Sequence, residues 1–400
     1  DYDVNTTNGT VTFNAAPADG NGIDNVVITF SKEIDGYADR INNCTVCEIF
    51  GGNNDTRVFL SGNPEYKNVD WYSGLYDATY FPDINYTKIT SDSTGIMGYI
   101  KQFNTLMPIK EGNTQGDTAS LRTFALDSEG NPYFPVEQGA VGIGAVSKRA
   151  FGYLQGEPLF LSSQGIVRVT GTNVDNQRLI QDCSSLINTR LTKEQGLENA
   201  FALVYNNTYH LFINGKCYLA DARKRFTDEL NQIQYEWLYW ENVHATAGAV
   251  FDGYMYIGYL GQIYRFKKDE GDLYSDDGVG IYSKWATPII YFGDASVKKS
   301  IENVYILLSD IDKNDVHVKC VINGNAEVDL GEVSSERIFN FSDVDFEDIT
   351  FSASINRYAE KLKAKLKKID NLQFVFTNTG NRRSAMGIAL LQSDFIYLTR

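Results

Sequence analysis

The sequence predicts an all-β fold: a β-propeller with five detectable blades, and room for more, followed by a C-terminal β-sandwich or jelly-roll-like domain. Three observations carry that expectation. Val, Ile, Tyr and Phe fall in short runs separated by Asn-Gly, Asp-Gly and Gly-Gly turns. Helical periodicity is scarce. A strand–glycine unit recurs roughly every fifty residues, the length of a four-stranded propeller blade.

Residues 1–32 stand apart as an N-terminal β-hairpin appendage. Val11–Phe13 and Val26–Phe30 read as strands, and Asn8-Gly9 as a turn. The chain opens on Asp1 without a Met, which suggests a processed product or part of something longer. Its first thirty residues have neither the basic nor the apolar region of a signal peptide.

Residues 33–288 hold the repeat. Five segments end on Gly62, Gly112, Gly165, Gly215 and Gly261, at spacings of 50, 53, 50 and 46 residues. An apolar strand precedes each segment: Cys47–Phe50, Ile96–Phe103, Arg149–Leu154, Phe201–Tyr205 and Ala247–Phe251. In three copies another follows at once, at Ile166–Val169, Lys216–Ala220 and Gln262–Phe266. One meander cannot bury both of its faces, so neighbours must stack, with Gly supplying the hairpin turns and aromatics filling the wedges. A two-sheet β-sandwich with coincidental glycine spacing is the competing architecture. Short helices are expected at Thr189–Ala202 and over residues 222–233.

Residues 289–400 form the expected C-terminal β-sandwich. Its strands are read at Ile289–Phe292, Ile301–Leu308, Asp315–Ile322, Ala326–Leu330, Asp348–Ile355, Leu372–Thr377 and Ala385–Leu391. Lys361–Lys368 alternates Lys with Leu362, Ala364 and Leu366. A half-buried strand with a solvated Lys face explains this run better than a helix or a polyanion site.

Charge and composition exclude some classes of function. The chain has 400 residues, 36 Lys+Arg, 51 Asp+Glu and a net charge of −15. Residues 281–400 carry 15 Lys+Arg against 16 Asp+Glu, so nearly all the acidity lies in the first 280 residues. That balance argues against a protein that grips nucleic-acid phosphates. No run of 18 apolar residues occurs, so no membrane helix is expected. Five cysteines, at 44, 47, 183, 217 and 320, suggest free thiols in a reducing compartment.

No constellation for chemistry emerges, and the chain is expected to be a non-enzyme with no catalytic, cofactor-binding or metal residues. Cys44-x2-Cys47 lacks the second half of a zinc site. His210, His244 and His317 are far apart, and His210 in an apolar strand reads as a core or wedge residue. Asp276-Asp277-Gly278 and Asp310-x-Asp312 have too few ligands for calcium. Ser91-Asp-Ser-Thr-Gly95 is a poor match to a sialidase box, although paired loop carboxylates of a propeller glycosidase are not excluded by sequence. In Tyr235–Trp240, alternation puts Tyr235, Trp237 and Tyr239 on one face and Leu238 and Trp240 on the other. That fits a strand between stacked blades, with an exposed sugar or protein platform as the alternative.

Several stretches resemble a family. RVFLSGNPEYKNVDWYSGLYDATYFPDINYTKI (57–89), KRAFGYLQGEPLFLSSQGIVRV (148–169), YEWLYWENV (235–243) and WATPIIYFG (285–293) resemble tail-associated virion proteins of phages of Gram-positive bacteria. DYDVNTTNGTVTFNAAP resembles the small β repeat near their N-termini. The resemblance implies a tail nozzle or hub component, assembled in the host cytoplasm into the virion. Other tail proteins would be its partners, in a homo-oligomeric ring around a channel through which packaged DNA passes without specific binding and without a membrane. An acidic surface would repel that DNA and let it slide. Two further readings stand beside it: a carbohydrate-binding or glycan-degrading propeller, such as the receptor-binding part of a virion, and a scaffold propeller unrelated to phages.

Overall fold

A computed structural model describes residues 2–22, 25–30, 34–52, 54–90, 93–112, 117–171, 178–266, 275–309, 314–334, 359–378, 380 and 386–398. It divides into two units, Asp1–Lys267 and Lys268–Arg400.

The first unit is a β-propeller of consecutive antiparallel meanders. It begins with a hairpin, β1 (Tyr2–Asn5) and β2 (Thr10–Phe13), turning at Gly9 as expected. A six-residue helix, α1 (Tyr37–Asn42), leads into the first blade. Blade 1 is β3 (Val46–Phe50), β4 (Arg57–Ser61), β5 (Val69–Tyr72) and β6 (Tyr86–Lys88). Blade 2 has β7 (Ile96–Gln102), β8 (Thr105–Lys110) and β9 (Asp117–Thr123). A small hairpin follows, β10 (Ala125–Leu126) and β11 (Pro132–Tyr133), before the outer strand β12 (Val136–Val141). Blade 3 is β13 (Phe151–Leu154), β14 (Glu157–Ser162), β15 (Gly165–Gly171) and β16 (Arg178–Asp182). After α2 (Asn188–Leu191), blade 4 is β17 (Phe201–Tyr205), β18 (Thr208–Ile213), β19 (Lys216–Thr227) and β20 (Ile233–Glu241). Blade 5 has, among the described residues, the three strands β21 (Ala247–Phe251), β22 (Tyr254–Tyr259) and β23 (Gln262–Arg265).

The repeated glycines fall where the sequence placed them, just after the second strand of every blade. Gly62, Gly165, Gly215 and Gly261 all have positive φ there, a conformation that turns favour and L-residues avoid.

Period-2 alternation explains how the blades stack. On β18, Tyr209, Leu211 and Ile213 face blade 3, joining Leu159, Leu161 and Ile166. Phe212, between them, faces the other way, with Leu219 of its own blade and Met255 and Ile257 of blade 5. Met107 and Ile109 of blade 2 meet Phe160, Val167 and Val169 of blade 3. Phe50 and Phe59 of blade 1 meet Tyr99 and Leu106 of blade 2. Middle strands are therefore apolar on both faces, which is why they read as continuous apolar runs. At Gly98 the Phe151 ring of the next blade comes so near that a Cβ would lie 2.5 Å from it. A side chain there would push the two inner strands apart.

The second unit is the expected β-sandwich. After a small hairpin, β24 (Ser275–Asp276) and β25 (Val279–Gly280), come β26 (Lys284–Ala286), β27 (Lys299–Leu308), β28 (Asp315–Ile322) and β29 (Ala326–Ser334). They are followed by β30 (Glu360–Ile369), β31 (Leu372–Asn378) and β32 (Ile388–Tyr397). One sheet has the order β26-β31-β28-β29, the other β30-β27-β32. Val304 and Ile306 of one pack against Val316, Val318, Phe374 and Phe376 of the other. Lys361–Lys368 lies in β30, with Ala364 and Leu366 buried and the lysines exposed.

Several expected elements differ. Val26–Phe30 has strand composition but joins no sheet, and its side chains are exposed, because propensity without a partner ladder does not make a strand. Residues 222–233, expected as a helix, are the end of β19, a turn and the start of β20. A bulge after Asp221 keeps the chain on the β20 ladder, and a short segment without an apolar stripe cannot nucleate a competing helix. Only part of Thr189–Ala202 is helical, as α2 and one 3-10 turn at Leu197–Asn199. Ile289–Phe292 makes a single bridge, Ile290 to Leu372. The division between units precedes residue 288 because β26 pairs with β31 of the sandwich. Asp348–Ile355 lies outside the described residues.

Candidate functional site

A candidate site lies on blade 1, where the α1 segment and the turn between β4 and β5 meet in a polar cavity of about 240 Å³. Asp35, Tyr37, Asp39, Arg40 and Asn43 come from α1 and its flanks. Asn63, Glu65 and Tyr66 come from the turn between β4 and β5.

Asn63 ties these segments together. Its side-chain carbonyl accepts from the Glu65 and Tyr66 amides at 2.9 and 3.2 Å, and its Nδ2 donates to the Arg40 carbonyl at 3.0 Å. A buried amide that bonds both ways fixes the turn against the helix. Arg40 extends between two rings, its Cζ 4.1 Å from the Tyr37 centroid and 5.8 Å from that of Tyr66. Its guanidinium and the Tyr37 hydroxyl each lie 3.4 Å from the Asp83 carboxylate, on the loop before β6. Tyr66 is held from behind by Trp71, edge to face at 6.0 Å. The same β5–β6 loop exposes Tyr76 and Tyr80, and Tyr86 follows at the start of β6.

Chemically, the cavity offers three carboxylates, one guanidinium, two amides and two aromatic rings. Such a set can stack on the apolar face of a ring-shaped ligand and hydrogen-bond its hydroxyl rim. Carboxylates are also the groups that glycoside hydrolysis uses as acid, base or nucleophile.

Residues singled out in the sequence lie elsewhere or act structurally. Cys44 donates from its thiol to the Arg40 carbonyl, and burial pushes that thiol up to about 11. Cys47 is on β3, exposed. Among the described residues no group of three or more His, Cys, Asp or Glu is placed to hold a metal. His210 is buried in the wedge between blades 4 and 5, 5.7 Å from Trp240, with Nδ1 3.0 Å from the Thr208 carbonyl. Burial pushes its pKa down to about 4. His244 stacks on Tyr259, and His317 pairs with Asp329 in the second unit. Asp276-Asp277-Gly278 is the turn of the β24–β25 hairpin. Asp310-x-Asp312 and Ser91-Asp92 lie outside the described residues. Tyr235, Trp237 and Tyr239 pack between blades 3 and 4, whereas Trp240 faces blade 5. That alternation is the wedge arrangement, not a platform.

Sequence reading missed the cavity. Its residues come from positions 35–43 and 63–66, with Asp83 beside them, and no motif spacing links the three. The one local signal is Gly62-Asn63-Pro64-Glu65-Tyr66, a turn that ends in an acid and an aromatic.

No protein-family model matches the chain, and no curated protein sequence matches it. Among solved structures, it matches three of an exo-β-1,3-galactanase from Phanerochaete chrysosporium: two variants with β-1,3-galactotriose and one form with galactose. Identity is 10–11%, the matches cover 88% of this chain and 81% of those, and the TM-scores are 0.24–0.25. The matched proteins are galactanases, which are enzymes, and the expectation of a non-enzyme does not stand. A likeness this slight carries no activity or substrate over to the present chain.

Proposed function

We propose that this chain is a carbohydrate-active β-propeller protein and that a glycan binds at the blade 1 cavity. The observation that supports this is the pairing of Tyr37 and Tyr66 with the polar groups Asp35, Asp39, Arg40, Asn43 and Glu65 in one cavity. A sugar has the same split character, with C–H faces for the rings and hydroxyls for the amides and carboxylates. At about 240 Å³ the cavity is smaller than the pockets that take drug-sized ligands. It suits a single sugar ring or chain end.

A glycan panel followed by calorimetry tests this. The wild type should bind at least one glycan, and Tyr66→Ala should weaken that binding roughly tenfold, as loss of one ring contact implies. No binding anywhere on the panel would refute the proposal. Release of reducing ends from the bound glycan, lost in Glu65→Gln, would extend the role from binding to cleavage.

A second reading, a nozzle or hub component of a phage tail, rests on the resemblances in 57–89, 148–169, 235–243 and 285–293. The exposed apolar segment Val26–Phe30 favours a protein that assembles with others. Electron microscopy of a parent particle with this chain traced in it is the test. The two readings are compatible if the glycan is a receptor on the host surface.

A further inference from the structure

We infer that Val26–Phe30 is a donor strand: it pairs with the outer edge of blade 5 in a second copy of this chain and completes that blade. Two incomplete features motivate this, and each supplies what the other lacks.

The first is an acceptor. Among the described residues, blades 1 to 4 each have four strands and blade 5 has three, and no described strand pairs with the outer side of β23. The ladder between β22 and β23 shows which groups are left over. The hairpin closes on Leu260 and Gly261, both at positive φ, with Tyr259 opposite Gln262. A two-residue turn of that type is flanked by a hydrogen-bonded pair. The Phe266 amide donates to the Met255 carbonyl, so hydrogen bonds to β22 fall on 262, 264 and 266. By alternation, the N–H and C=O of Ile263 and Arg265 point to the open edge. Ile263 is 78% exposed.

The second is a donor. Asn25–Phe30, NVVITF, is uncharged, rich in β-branched residues and outside every sheet. Val27 and Phe30 are 87% and 85% exposed. Natural edge strands are usually protected by charge, Pro or a bulge, and this segment has none of these. Six residues are ample to span the four of β23. Donor and acceptor lie on different parts of the chain, so the contact is heterologous and propagates from copy to copy into a ring or a filament. The inference does not depend on the glycan reading.

Sedimentation velocity and light scattering on the full chain test it, with two variants. Val27→Asp places a charge in the donor. Ile263→Pro removes an outward N–H from the acceptor while leaving the bonds to β22 in place. Wild type should self-associate over the micromolar range, and each variant alone should be monomeric and melt at the temperature of wild type diluted until it too is monomeric. Mixed in equal amounts, the variants should form a heterodimer and nothing larger, because one copy keeps its donor and the other its acceptor. A wild type that stays monomeric, or association that survives both substitutions, overturns the proposal. So does a melting temperature that falls with Val27→Asp at a dilution where wild type is itself monomeric, which would place the segment on its own chain.

Discussion

Arg122→Met should destabilise the propeller more than any single surface change. Arg122 of blade 2 and Asp70 of blade 1 form an ion pair with both side chains fully buried. One guanidinium nitrogen donates to both Asp70 oxygens, and the other donates to Thr87 Oγ1 at 2.8 Å and to the Phe134 carbonyl at 3.0 Å. The guanidinium also lies 5.2 Å from the Phe59 ring centroid. Burial pushes the Asp70 carboxyl up, and the Arg122 charge and hydrogen bonds pull it back. Removing Arg122 leaves that push opposed only by a backbone hydrogen bond and the Tyr99 hydroxyl. The expected cost is about 3–5 kcal/mol near neutral pH, the usual penalty for stranding one member of a buried pair, or roughly two to four decades in the folding equilibrium. The double variant Asp70→Leu/Arg122→Met should cost less than Arg122→Met alone, since no charge is then stranded. The pH dependence has a definite sign. In the single variant the folded Asp70 pKa lies above its unfolded value near 3.8. The stability linked to its protonation is therefore fully present below that value and is lost as pH rises through the raised one. The deficit should shrink between pH 7 and pH 5. Urea unfolding followed by Trp fluorescence, with Trp71 buried next to Asp70, reads all three effects. A cost below about 1 kcal/mol, typical of an exposed pair, or a double variant no better than the single, would refute the account of this wedge.

Other substitutions probe other levels of the fold. His210 has a folded pKa of about 4 against an ordinary value of 6.5, lowered by burial. Its contribution is fully present above pH 6.5 and is lost as pH falls toward 4, by about 2 kcal/mol between pH 7 and pH 5. His210→Phe should flatten that part of the stability profile in urea titrations, and parallel profiles for the two proteins would refute it. Gly139 on β12 sits at a bulge, where a Cβ would lie 2.2 Å from the Ala119 carbonyl oxygen. Backbone cannot yield as a side chain does, so Gly139→Ala should cost about 1–3 kcal/mol. An unchanged melting temperature would mean that the bulge is not held as described.

Much of the fold was legible in the sequence for one physical reason. In four of the five blades a glycine at positive φ, Gly62, Gly165, Gly215 or Gly261, follows the second strand. With Gly112 of blade 2 included, the interval between these glycines stays near fifty residues while the strands between them differ. Tyr209, Leu211 and Phe212 read as a continuous apolar run because both faces of β18 are wedged. Where reading failed, the deciding information was long-range. Val26–Phe30 has the composition of a strand and, among the described residues, no strand beside it, whereas residues 222–227 look helical but belong to the strand that lies against β20. The blade 1 cavity was invisible because α1, the Asn63 turn and the Asp83 loop converge only after blade 1 has formed. Its key organiser, Asn63, works through backbone contacts that no motif encodes.

Charge offers a way to separate assembly from ligand binding in one protein. Copies carrying −15 each repel one another at long range. The donor Asn25–Phe30 is uncharged and β23 carries only Arg265, so the proposed contact contains no ion pair to offset that repulsion. Added salt shortens the screening length to about 8 Å at physiological strength and less beyond it. Self-association through this strand should therefore strengthen as salt rises, whereas an interface built on opposite charges would weaken. A neutral sugar held by Tyr37, Tyr66 and the amide of Asn43 has no net charge to screen, and its affinity should stay level over the same range. Association that falls with salt would count against the donor strand and leave the cavity untouched. Glycan binding that falls with salt would instead point to a charged ligand opposite Arg40.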